Sequence, residues 1–172
     1  LSGVHDGAGV RRWIERRLSD GQPVGVVLAA LNRFEMVNTA YGRPAGDALL
    51  RAASGRLGEA AREVLGRHFV AARIAGPEFV VASESAAPEL LASVAARVGE
   101  ALSRPFVIGD EIMPLGARTA VALSEPDDSA AELLRRASDA LAGNDAAPGS
   151  VPLDTLALDL RRAMEAGEIE LR

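Results

Sequence analysis

The sequence predicts an α/β (α+β) fold: a βαββαβ mixed sheet flanked by helices. Three observations predict it. Short apolar runs bounded by turn residues alternate with amphipathic helical stretches. Two glycine-centred signals each join a pair of strand-like runs, as in β-hairpins. A hydrophobic share of 48% in 172 residues supplies a core for one domain, or slightly more.

Each element has its own local reason. Val10, Trp13, Ile14 and Leu18 recur at helical spacing among Arg11, Arg12, Glu15, Arg16 and Arg17, which predicts an amphipathic first helix with Trp13 as a core anchor. After the break at residues 20–23, the run from Val24 to Leu31 is too short for a core helix and reads as a buried central strand. A short helical stretch from Asn32 to Gly42 follows, and Pro44 opens a longer helix with Leu49, Leu50, Ala53, Leu57 and Ala61 on its apolar side. Phe69 to Ala75 and Glu78 to Ala82 flank Gly76-Pro77. Glycine can take the positive φ and proline the negative one of a type II′ turn. Residues 88–103 carry Leu90, Leu91, Val94, Ala95, Val98 and Leu102 at helical spacing. Phe106 to Ile108 and Glu111 to Leu123 then read as a second hairpin around Gly109-Asp110, and Ser129 to Ala142 as the last amphipathic helix.

At Gly143 to Pro152 the small and polar residues crowd together without periodicity, which marks a linker. Beyond it Leu156, Leu160, Ala163 and Met164 share a helical face, and Glu168 to Arg172 alternates like the start of a strand. The expected organisation is a domain over 1–142, a linker over 143–152, and the beginning of another domain over 153–172.

Composition narrows the chemistry. With 24 Asp plus Glu against 19 Lys plus Arg the formal charge is −5. Cysteine is absent, which excludes disulfides, thiolate nucleophiles and cysteine-ligated metals. Lysine is absent too, so all 19 basic residues are arginine; Schiff-base chemistry and a Gly-Lys-Ser/Thr phosphate loop are excluded. His5 and His68 have no histidine at helical ligand spacing and read as ordinary surface or strand-end residues, so zinc hydrolase chemistry is not expected. The 3% aromatic content and negative charge oppose an RNA-binding sheet, so no nucleic-acid partner is expected. No stretch of 18 uncharged apolar residues exists, and the first residues lack a signal-peptide pattern. A cytoplasmic address without membrane contact from this segment is the expectation, with tethering of a longer chain left open.

Several motifs resemble one family in order and spacing. Leu1-Ser2-Gly3-Val4 is similar to an opening L-T-G-L. Asn32-Arg33-Phe34, Asn38, Gly42, Gly46 and Asp47 are similar to D-R-F-K-x-x-N-D-x-x-G-H-x-x-G-D, and Ala75-Gly76-Pro77-Glu78-Phe79 stands where G-G-D/E-E-F belongs. Glu132 to Ser138 is similar to e-L-L-x-x-A-D. The family is the GGDEF-type diguanylate cyclase domain, with a palm-like sheet. Leu156 to Arg172 resembles the first helix and strand of an EAL-type phosphodiesterase domain.

The resemblance implies a domain that joins two GTP molecules into cyclic di-GMP, with divalent metal held by carboxylates at the end of the first strand and at the third hairpin position. Here those positions are Ala30 and Pro77, whose side chains cannot ligate a metal. Glu78 remains, but one carboxylate is a poor magnesium site, and magnesium binding is not expected. The family's late lysine falls near Asn144 and Asp145, and its inhibitory R-x-x-D aligns with Gly66 to Phe69, where it is missing. Asn38 and Asp47 match the guanine-contacting positions, and their side chains offer the acceptors and donors that guanine requires. A helix-terminal role for both is equally open at this stage.

The expectation is therefore a catalytically degenerate GGDEF domain without catalytic residues. It would bind GTP without turnover, take no cofactor, and regulate its own following EAL-type domain, with homodimerisation left open. The alternatives are an active cyclase with an atypical metal site around Glu78, and a structural or dimerising module that binds no nucleotide.

Overall fold

The computed structural model describes residues 4–145, with side chains over 6–143. In chain order the elements are β1 (Val4–Asp6), α1 (Gly7–Ser19), β2 (Gly25–Leu31), α2 (Phe34–Tyr41), α3 (Arg43–Leu65) and β3 (Phe69–Ala75). They continue with β4 (Glu78–Ser83), α4 (Pro88–Ser103), β5 (Phe106–Ile108), β6 (Glu111–Met113), β7 (Ala117–Leu123) and α5 (Ala130–Asp145). The main sheet has the order β1-β3-β4-β2-β7, and β5-β6 form a separate ribbon. Only the β1-β3 pair is parallel; β3-β4, β4-β2 and β2-β7 are antiparallel. The run β2-α3-β3-β4-α4-β7 is the expected βαββαβ unit.

All seven residues of β2 are buried, because the strand lies inside the sheet between β4 and β7 and both faces of the sheet are covered. Val27, Ala29 and Leu31 face one core with Leu57, Phe69, Phe79, Leu91 and Leu102, built under α2, α3 and α4. Val26, Leu28 and Ala30 face the other, with Val10, Trp13, Ile14, Val80 and Leu133 under α1 and α5. The period of two along β2 therefore feeds two cores at once, each fully buried Val, Leu or Phe contributing about 1.5–3 kcal/mol. Gly25 is required at the start of β2: a Cβ there would lie 2.7 Å from the Ser85 carbonyl oxygen and 2.8 Å from the Leu91 side chain.

The helices begin for local reasons. The Asp6 carboxylate accepts from the Gly9 N–H at 2.6 Å, Ser129 Oγ accepts from the Glu132 N–H at 3.1 Å, and Pro44 and Pro88 occupy first-turn positions. Arg136 ties α5 to the end of β7. Its guanidinium donates twice to the Asp128 carboxylate at 2.8 Å and once to the Leu123 carbonyl at 2.7 Å. The hydrogen bond from Arg136 holds the Asp128 carboxyl below the usual aspartate range.

The structure corrects the sequence reading at four points. β1 was not foreseen, since three residues give no periodic signal, and it is held by parallel pairing of Val4 with Ala71. Glu111 to Leu123 is two strands: Pro114 has no N–H to donate and Gly116 turns the chain at φ +79°, so β6 stays with β5 while β7 joins the main sheet. Asn32 and Arg33 are not helical; Arg33 adopts a left-handed conformation, φ +59°, and α2 starts at Phe34. Finally, α5 runs to Asp145, three residues into the expected linker. The hairpin turn behaves as expected, Gly76 taking φ +53° between paired Ala75 and Glu78. The linker beyond Asp145 and the EAL-like 153–172 lie outside the described residues.

Candidate nucleotide site

Three chain segments converge at the C-terminal end of β2. The Leu31 N–H donates to the Pro77 carbonyl at 3.1 Å, and the Asn32 N–H donates to the Gly116 carbonyl at 3.0 Å. These bonds bring the β3-β4 turn and the entry to β7 alongside Ala30. In register, Ala30 stands opposite Glu78 on β4 and opposite Arg118 on β7. Residues directly opposite in antiparallel strands share a face, so Glu78 and Arg118 project on the α1/α5 side, where Ala30 is buried. Arg118 donates through Nη1 to Asn32 Oδ1 at 2.8 Å, which directs it toward the end of β2. Glu78 borders a groove of about 710 Å³ between α1 and α5 that Arg11, Arg12 and Arg135 also line.

The residues at this point do not fit a divalent metal. Ala30 offers a methyl group and Pro77 a ring, and Glu78, the one carboxylate beside them among the described residues, shares its sheet face with a permanently charged guanidinium. Gly66 to Phe69 supplies no R-x-x-D; Gly66 ends α3 at φ +65°, its N–H donating to the Arg62 carbonyl at 2.8 Å.

The base-reading candidates lie on the other face. Asn38 on α2 and Asp47 on α3 are both exposed. Gly46 brings the two helices together at this point: a Cβ on it would overlap the Asn38 amide oxygen and lie 3.2 Å from the Phe34 ring. Asp47 lines a groove of about 610 Å³ with Leu50, Arg51, Ser54 and Arg73. Asn38 adjoins through Gly46 and is not among the residues lining that groove. Arg73 is opposite Phe79, whose ring is buried under α2 to α4, so Arg73 shares that face. Its guanidinium donates to the Gly76 carbonyl at 2.9 Å and joins the groove to the hairpin turn.

Sequence reasoning missed Arg73 and Arg118. Arg73 had a signal, its position three residues before the turn glycine. Arg118 had none, because only cross-strand register places it beside Ala30. The arginine face of α1 is divided: Arg17 stacks 5.4 Å from the Trp13 ring centre and donates to the Pro23 and Glu84 carbonyls, whereas Arg11 and Arg12 line the groove. Trp13 is buried as expected, and exposed His68 pairs with Glu84 at 3.1 Å. His5, Asn144 and Asp145 have side chains outside those described.

Residues 9–148 match the family described as Diguanylate cyclase, GGDEF domain. An uncharacterized protein of Mycobacterium tuberculosis is 29% identical over 99% of this chain and 30% of its own length. The cyclic di-GMP phosphodiesterase PdeR of Escherichia coli is 34% identical over 72% of this chain and 18% of its own. Among solved structures, a sensory box/GGDEF family protein from Caulobacter crescentus superposes with a TM-score of 0.64 at 29% identity, covering 77% of this chain and 84% of that one.

Fold and hairpin together define a domain of the kind found in cyclic di-GMP signalling proteins. The chain belongs to the GGDEF family. It spans about 30% of the length of its mycobacterial relative. Among the described residues, no helix is long and apolar enough to cross a membrane.

Proposed function

We propose that this domain is a non-catalytic guanine-nucleotide sensor, binding GTP without turnover and regulating an EAL-type phosphodiesterase domain of the same protein. The observation that carries the reading is the split fate of the site. Ala30 and Pro77 stand at the metal positions, while Asn38 and Asp47, with the Gly46 contact that sets their helices together, are kept. Attack of a 3′-hydroxyl on an α-phosphate needs positive charge placed at the reacting oxygens, and a site without its metal carboxylates does not assemble it for two nucleotides. Base recognition needs only donors and acceptors of the kind Asn38 and Asp47 carry. The domain's place is cytoplasmic, and its partner in regulation is the EAL-type domain of the full-length protein.

Calorimetric titration with GTP, followed by chromatography of the same mixture for cyclic di-GMP, tests this. Binding without product is the expected result. Formation of cyclic di-GMP would overturn the non-catalytic reading in favour of a cyclase built around Glu78, and absence of any binding to millimolar GTP would leave a structural or dimerising module.

A further inference from the structure

We infer that the groove between α3 and β3 seats a guanine nucleotide with its base at Asp47 and its phosphates between Arg51 and Arg73, two guanidinium groups holding them without a divalent metal. This rests on the guanine-nucleotide reading above and specifies where the charged end of the ligand lies.

The lining of one groove carries it. Asp47, Leu50, Arg51 and Ser54 from α3 and Arg73 from β3 border a single space of about 610 Å³, within the range of small-molecule sites. The four residues on α3 stand at i, i+3, i+4 and i+7, the spacing of one helix face. At the rise of an α-helix that face runs about 10 Å from Asp47 to Ser54, the scale of a base and ribose with a phosphate beyond. Leu50 is buried and forms an apolar floor, while Asp47, Arg51 and Arg73 are exposed at the rim.

The polar groups are open to a ligand. Asp47 and Arg51 have the i, i+4 spacing that favours an ion pair, yet among the described residues neither has an ion pair or a side-chain hydrogen bond. Arg73 donates from Nη1 to the Gly76 carbonyl at 2.9 Å, which anchors it beside the hairpin turn and leaves the other donors of its guanidinium to the groove. Two permanent positive charges thus stand with one carboxylate, in a chain whose formal charge is −5. A divalent cation gains little from one carboxylate so placed, whereas a phosphate meets two planar forks of donors that match its oxygens. The Ser54 hydroxyl supplies a further donor on the α3 wall. Asp47 and both arginines lie on the sheet face where the base is read, so the phosphates need no group from the face that Ala30 and Glu78 share.

The test is calorimetry on the 172-residue chain with GTP and with guanosine, each in EDTA and in millimolar magnesium. Expected are a GTP affinity in EDTA within about twofold of that in magnesium, and at least about tenfold above that of guanosine. Arg51→Met and Arg73→Met should each weaken GTP about fivefold or more while leaving guanosine unchanged, and Arg51→Lys should keep most of the affinity. Circular dichroism melts establish that each variant is folded. Arg51 is exposed and forms no bond among the described residues, so Arg51→Met decides the matter should Arg73→Met loosen the hairpin turn. An Arg51→Met protein that binds GTP like its parent, an equal loss of GTP and guanosine, or GTP binding that requires magnesium each overturns the inference and leaves the sensor reading intact. No heat from GTP or guanosine in either buffer overturns both.

Discussion

Replacing Arg136 by methionine should detach the start of α5 from β7, and the cost can be worked from the geometry. Three charge-assisted donations are lost, two to Asp128 at 2.8 Å and one to the Leu123 carbonyl at 2.7 Å. The Asp128 side chain is only 6% exposed, so its carboxylate is left with the Glu125 N–H, at 2.8 Å, as its remaining bond in this cluster. Breaking a fully buried pair costs about 3–5 kcal/mol. Arg136 itself is 29% exposed, which screens part of the interaction, and about 2–3 kcal/mol is expected at pH 7. For a chain of this length that lowers Tm by roughly 5–10 °C. The pH dependence follows from the lowered carboxyl of Asp128. The ion pair contributes fully above the usual aspartate range, and its contribution is lost as pH falls through the lower folded value. Circular dichroism melts of parent and variant from neutral to strongly acidic pH should therefore show a gap that is constant at first and then narrows to the part that the Leu123 carbonyl bond supplies. A difference below about 0.5 kcal/mol at pH 7, or a gap that does not narrow at the acid end, would refute the reasoning.

Three further outcomes follow from other contacts. Gly25→Ala should destabilise the domain by about 1–3 kcal/mol in urea unfolding, because the added methyl meets the Ser85 backbone oxygen, which cannot rotate away. Arg56→Lys should cost about 1–2 kcal/mol despite keeping the charge. The guanidinium stacks 3.8 Å from the Phe106 ring centre and donates to the carbonyls of Ala101, Arg104 and Pro105, and an ammonium reproduces neither the stack nor the fork; an unchanged melt would contradict this. Asp47→Ala should weaken GTP about tenfold in calorimetry while leaving stability within about 0.5 kcal/mol, since the side chain is exposed. Equal affinity would remove Asp47 from the base site.

Most helices were legible in the sequence because their apolar stripes and start signals are local. Pro44 and Pro88 do open α3 and α4, and Leu49, Leu57, Leu91 and Val98 are all buried. The Gly76-Pro77 hairpin was legible for the same reason, as glycine alone accepts its φ at no cost. Illegible features depended on distant partners. Val4 to Asp6 become a strand only through β3, and the apolar residues on both sides of Pro114 read as continuous until pairing sends them to different sheets. The candidate site divides in the same way. Asn38 and Asp47 are visible as motif residues, but the fit of Gly46 beneath Asn38 belongs to helix packing. The placing of Arg118 beside Ala30 belongs to strand register, and no spacing along the chain announces it.

The interior position of β2 has a consequence for how the chain is made. β2 is among the first elements synthesised, yet it pairs with β4 and β7, and β7 is the last strand of the main sheet to emerge. At about 5–20 residues per second, synthesis leaves this wholly apolar strand with one open edge for several seconds after β4 has docked. During that interval the nascent chain presents an unpaired hydrophobic edge, the surface that chaperones cover and that promotes aggregation. The strand that organises the finished domain is thus its point of greatest exposure on the ribosome.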